Sequence, residues 1–118
     1  MLSLTSGYRY YIYRGITDFR SGMDRLSGTV RAELSVDPTG GDIFIFFNRS
    51  RTQVRLLQFE GDGFGLYTKR LESGTYELPA DNQASSIEMS SDDLLLILRG
   101  ISLKSVHRRK RFSLKKVT

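Results

Sequence analysis

Residues 43–47 read Ile-Phe-Ile-Phe-Phe, apolar at every position. A strand with one wet face alternates apolar and polar residues, whereas one covered on both faces has no polar positions. This run is therefore expected to be a central strand with a layer above it and a layer below. The rest of the chain has to supply those layers.

Several segments qualify. Tyr8 to Tyr13 is aromatic and β-branched and reads as a strand. Its tyrosines are expected to divide between the core on one face and cross-strand pairs on the other, rather than to form a base-stacking platform. Met23, Leu26, Val30 and Leu34 fall at spacings of three, four and four, which puts them on one face of a helix from about Arg20 to Ser35. Thr17 or Asp18 is the expected cap. Asp37-Pro38-Thr39-Gly40-Gly41 ends that helix. Gln53 to Phe59 is a strand with Val54, Leu56 and Gln58 on one face and Leu57 and Phe59 on the other. Phe64 to Leu71 is a further strand, and Asp62-Gly63 between the two is a hairpin signal. Tyr76 to Leu78 reads as a short strand, and residues 80–86 as a polar loop. Ser90 or Ser91 caps a second helix from about Ser91 to Arg99, with Asp92 and Asp93 in its first turn and Gly100 beyond its end. Ile101 to Leu103 reads as a last strand or an extended arm.

The reading is α+β: a single domain whose mainly antiparallel sheet of four to six strands is packed by two helices. At 118 residues the chain can bury a core without metal or disulfide. It has no cysteine and one histidine, His107, so thiolate and multi-histidine metal sites are excluded and no cofactor is expected. The N-terminus lacks the pattern of a signal peptide, and no apolar run reaches membrane-span length. A cytoplasmic setting is the expectation.

Charge divides the chain. Residues 104–118 hold seven Lys/Arg and no acid. The other eleven Lys/Arg are outnumbered by thirteen Asp/Glu, which leaves residues 1–103 at −2 within a total of +5. The expected division is an accessory domain over 1–103 and a basic tail over 104–118. A near-neutral body with such a tail points to a polyanion, most often nucleic acid.

The glycines at 61, 63 and 65 do not form a dinucleotide fingerprint, because Leu66 holds the third required position and no helix follows. Acid pairs such as Asp92-Asp93, Asp18/Asp24 and Glu60/Asp62 have simpler readings as helix starts and turns. The strand and helix order is read as lacking parallel βαβ alternation, and no catalytic constellation is recognisable. A non-catalytic protein is expected. The basic groups are the better candidates. Arg49 and Arg51 lie in the turn Asn48-Arg49-Ser50-Arg51, where Asn48 and Ser50 could add neutral donors, and Arg55 follows on the next strand. Lys69-Arg70 ends the neighbouring strand; its plainer reading is an ion pair with Glu72 or Glu77. Arg108, Arg109, Lys110 and Arg111 lie beside Phe112, a mixture that suits duplex backbone or unpaired bases.

Four segments in order resemble a known family. They are Thr17-Asp18-Phe19-Arg20-Ser21-Gly22-Met23-Asp24-Arg25-Leu26, then Ile43 to Arg51 with its Asn48-Arg49-Ser50-Arg51 end, then Gly61-Asp62-Gly63-Phe64, then Lys69-Arg70-Leu71-Glu72-Ser73-Gly74. A leucine-rich helix ending Leu98-Arg99-Gly100-Ile101 and the basic tail complete the match. The chain resembles the second-open-reading-frame accessory protein, called TnpB, of the bacterial insertion-sequence family numbered sixty-six. It does not resemble the RNA-guided nuclease that shares that name. The resemblance implies a role in transposition beside a separate catalytic transposase. This chain departs from the family at Gln58-Phe59-Glu60, where members commonly carry a tryptophan, and Arg55 stands where lysine is frequent.

The leading expectation is thus an accessory DNA-binding protein in which Arg49, Arg51, Arg55, Lys69 and Arg70 line one sheet edge and residues 108–111 grip the backbone. The rivals are an adaptor that contacts the transposase without touching DNA, and an RNA-binding module.

Overall fold

The structure, a computed structural model, describes residues 4–20, 22–78 and 86–99. The chain runs β1 (Tyr10–Tyr13), α1 (Met23–Thr29) with a π-helical continuation (Val30–Leu34), β2 (Ile43–Phe47), β3 (Gln53–Phe59), β4 (Phe64–Arg70), β5 (Ser86–Met89) and α2 (Ser91–Leu98). The five strands form one sheet in the order β4-β3-β2-β1-β5. All neighbours are antiparallel except β1 and β2, which run parallel with Tyr10 beside Ile43 and Ile12 beside Ile45. This is the α+β architecture expected, with the strand count inside the expected range.

Every residue of β2 is buried, as the apolar run requires. Alternation then sorts the strands into two cores. On one face Tyr10, Ile12, Ile43, Ile45, Phe47, Val54 and Leu56 pack with Leu94, Ile97 and Leu98 of α2 and with Tyr76. On the other, Phe44, Phe46 and Leu57 pack with Leu26 and Val30 of the first helix. Tyr11 stacks on Phe44 with ring centroids 5.7 Å apart, and Tyr13 lies tilted against Phe46 at 6.0 Å. The tyrosine strand is thus core on one face and cross-strand aromatic pairs on the other. Each fully buried large apolar side chain contributes roughly 1.5–3 kcal/mol of transfer free energy.

Five local expectations are corrected. The parallel β1/β2 pair, joined through the first helix, is a βαβ unit; the linear order of elements concealed it, because parallel pairing depends on the path of the crossover. The first helix starts later than expected, at Met23, and runs to Leu34, beyond which Ser35 takes a left-handed φ of 55°. Its N-cap position is Gly22, which has no side chain to make a capping bond. Asp18 instead accepts from the Arg20 backbone N–H at 2.9 Å, a local turn that competes with capping. Tyr76 to Leu78 forms no strand. The Tyr76 N–H donates to the Arg51 carbonyl at 2.7 Å while its ring enters the core against Phe47. Finally, Ser86 opens β5, a strand that the polar sequence around it hid; its inner positions Ile87 and Met89 are only half-buried.

Other readings match. The Ser90 hydroxyl accepts from the Asp93 N–H at 3.2 Å and caps α2. The hairpin after β3 closes with Glu60 N–H to Gly63 carbonyl at 2.8 Å; the left-handed position in it is Gly61, at φ 98°, and not Asp62. The arm at 101–103 and the tail lie outside the described residues.

Candidate anion-binding cleft

Parallel pairing places the segment after β1 and the turn after β2 at the same end of the sheet. The antiparallel register brings the start of β3 and the end of β4 there too, since Gln53 pairs with Arg70. The carboxyl ends of parallel strands are a usual place for ligands in open sheets. Here they border an open cleft of ≈ 740 Å³ lined by Ile16, Thr17, Asp18, Phe19, Arg20, Asn48, Arg49, Ser50, Gln53 and Arg55.

The turn forming one wall is fixed by Asn48. Its Oδ1 accepts from the backbone N–H groups of Thr52 and Gln53 at 2.9 and 3.0 Å. Its Nδ2 donates to the Ser50 and Thr52 hydroxyls at 3.2 and 3.1 Å. Those two hydroxyls bond each other at 2.9 Å. Asn48 and Ser50, considered as ligand donors from sequence, are therefore engaged in holding the turn. Arg49 projects from it, exposed. Arg51 takes a left-handed φ of 57°, so the turn is not extended; Arg51 does not line the cleft.

The opposite wall is the segment before the first helix. The Arg20 guanidinium meets the Asp18 carboxylate through Nε at 3.0 and 3.2 Å and Nη2 at 2.8 Å. Those bonds, with the Arg20 backbone N–H, hold the Asp18 carboxyl at about 2, well below the usual carboxylate range. The pair occupies one edge of the guanidinium and leaves the Nη1 edge facing solvent, with the side chain 91% exposed. Between the walls, half-buried Arg55 lies with its guanidinium carbon 4.4 Å from the centroid of Phe19. That cation–π contact orients the planar head. Thr17 is only 9% exposed, and its hydroxyl has no hydrogen-bond partner among the described residues.

The structure thus divides the residues proposed from sequence. Arg49 and Arg55 share the cleft. Arg70 lies beside it by register, opposite Gln53 on the same face. Lys69 faces the other way, where Nζ donates to the Leu98 carbonyl at 3.2 Å and satisfies the C-terminal end of α2. Sequence had suggested an ion pair of the Lys69-Arg70 dipeptide with Glu72 or Glu77. Arg108, Arg109, Lys110 and Arg111 lie outside the described residues. Thr17, Phe19 and Arg20 were read only as the approach to a helix. The signal was present in the Thr17-Asp18-Phe19-Arg20 segment of the family resemblance, which meets the Asn48-Arg49-Ser50-Arg51 segment across this cleft.

A family model described as "IS66 Orf2 like protein" matches residues 8–108. The chain belongs to that family. Among its relatives are two proteins of Sinorhizobium fredii (strain NBRC 101917 / NGR234). Uncharacterized protein y4jC is 32% identical over 109 residues, covering 92% of this chain and 92% of its own. Uncharacterized protein y4hO is 33% identical over 101 residues, covering 86% of this chain and 87% of its own. No solved structure matches. Membership in the IS66 Orf2-like family supports an accessory role in an insertion sequence. Among the described residues, no helix is long and apolar enough to cross a membrane.

Proposed function

We propose that this IS66 Orf2-like protein is a non-catalytic accessory factor of transposition, working in the cytoplasm, that binds DNA through its phosphate backbone. The observation that carries the reading is the meeting of Arg20, Arg49 and Arg55 at one concave end of the sheet, against the single carboxylate of Asp18. Arginine is suited to phosphate by its planar fork of donors. Arg70 extends the surface, and Arg51 flanks it from the turn. Lys69 contributes to the fold instead. The cluster Arg108, Arg109, Lys110 and Arg111 adds non-specific attraction to the same polyanion.

The test is fluorescence anisotropy of the intact protein with duplex DNA over a salt series, beside a variant with alanine at 108–111 and an Arg49→Ala/Arg55→Ala variant. Binding should show a steep salt slope, roughly −0.9 per phosphate neutralised, and both variants should flatten it. No binding at low salt would reject the reading. A second reading has one feature in its favour: Ile16, on the rim of the cleft, is 64% exposed. An apolar side chain beside basic groups suits a protein adaptor for the transposase. Co-purification with the transposase that survives nuclease and high salt would select it.

A further inference from the structure

We propose that the cleft is a built site for a single phosphate group, with the Thr17 hydroxyl as its neutral donor. The inference deepens the DNA-binding reading, on which it rests for the source of the phosphate. It stands on three observations.

First, Thr17 is nine-tenths buried and among the residues lining the cleft, and its hydroxyl, closed off from solvent, has no hydrogen-bond partner among the described residues. A buried hydroxyl left unmade is costly, so natural proteins rarely keep one that has no ligand or water to meet. Second, three arginines line the same cleft against one aspartate, whose carboxylate is already held by Arg20. The excess is two positive charges, which matches an anion and repels a cation. Third, the arginines are held in different ways. Arg20 is fixed by Asp18, which takes one edge of its fork and leaves the other. Arg55 is oriented by the ring of Phe19. Arg49 is carried on a turn that Asn48 locks. Donors held before the ligand arrives lose little freedom on binding. The cleft, at ≈ 740 Å³, is larger than one phosphate fills, so there is room for the sugar and base attached to it.

The chemistry recognised is a phosphate oxygen set, and it has two sources in DNA: an internal phosphodiester, or the terminal phosphate of a strand end. The probe is inorganic phosphate, titrated into the full chain at constant ionic strength against chloride. The readout is NMR of the backbone amide of Thr17 and the side-chain Nε–H signals of the arginines. Saturable shifts at Thr17, Arg49 and Arg55 are expected with phosphate and not with chloride. Thr17→Val should weaken phosphate binding about tenfold, as losing one bond to a charged group does. It should also leave melting temperature unchanged or raised, because it removes an orphaned hydroxyl. Arg31→Gln, outside the cleft, should leave the titration unchanged. Should Thr17→Val bind phosphate as tightly as the parent, or should chloride reproduce the shifts, the proposal is overturned.

Oligonucleotides with a 5′-phosphate or a 5′-hydroxyl then separate the sources. Tighter binding of the phosphorylated strand assigns the site to strand ends, and equal binding to internal phosphodiesters. The two readings also separate. If phosphate saturates the cleft while duplex DNA does not bind, the phosphate site stands and the DNA reading falls. If DNA binds and the cleft signals stay still, the phosphate site falls and the DNA reading survives on the tail.

Discussion

Lys69 and Arg70 are neighbours at the end of β4 with similar charge, yet they do different things. Lys69 turns toward the α2 face and donates to the Leu98 carbonyl at the end of that helix. Arg70 turns toward the other face, opposite Gln53 at the border of the arginine cleft. The difference follows from the two-residue period of a strand. It also reflects how the two faces are closed. On the α2 face, Leu94, Ile97 and Leu98 cover the sheet and Lys69 completes the cover. On the α1 face, the helix starts at Met23, and the segment before it borders an open cleft at the sheet end. A basic dipeptide in sequence is therefore not a unit of function; each member takes the character of the face it meets.

This comparison can be strained in several ways. The largest effect is expected in the core beneath the first helix. Phe44→Ala removes a fully buried ring that Tyr11 stacks on, and should cost about 3–5 kcal/mol in urea unfolding. A cost below about 1 kcal/mol would mean that the α1 layer is not packed on Phe44. Next, Arg49→Ala with Arg55→Ala should reduce DNA affinity tenfold or more and lower the salt slope by roughly 0.9 for each phosphate no longer neutralised. The counterpart is Lys69→Met, which should cost about 1 kcal/mol of stability and leave the salt slope unaltered. If Lys69→Met instead flattens the salt slope, the division between the faces is wrong.

Asn48→Ala tests whether that side chain holds the wall of the cleft. Two backbone N–H groups would be left without their acceptor, and the cost should be about 1–3 kcal/mol by chemical denaturation. Phosphate binding should weaken with it even though Asn48 is not itself a ligand. The smallest effect concerns Asp18. Its pKa is lowered to about 2 from 3.8, first by the Arg20 side chain and then by the Arg20 backbone N–H. A depressed carboxylate contributes fully above 3.8, and its contribution is lost as pH falls through that window toward about 2. NMR titration of Asp18 should show a midpoint near the lower figure, and Arg20→Ala should return it toward the ordinary value. The pair is exposed, so overall stability should change little.

Much of the fold was legible because its signals are local. The bounds of β2 and β3 were read from an unbroken apolar run and from alternation, both of which act within a few residues. The Ser90 cap and the hairpin at Gly61 are likewise near-neighbour chemistry. The missed elements lacked such signals. β5 is a short edge strand whose inner positions are only half-buried, so its alternation is faint. Thr17 and Asp18 carry a capping signature, but Asp18 found a competing local bond to Arg20.

The cleft is a different matter. Sequence determined its parts: an arginine-bearing turn after β2, Arg55 two residues into the next strand, and the segment Thr17-Asp18-Phe19-Arg20 after β1. Periodicity alone also determined that β2 lies at the centre with a core on each face. What only the tertiary structure decided is that β1 lies parallel to β2, which brings the two loops to one end and sets Phe19 over Arg55. The reason is physical. Strand pattern records which residues face the core, and that is the same for a parallel and an antiparallel neighbour. The direction of pairing depends on how the crossover packs back onto the sheet, a property of the whole chain.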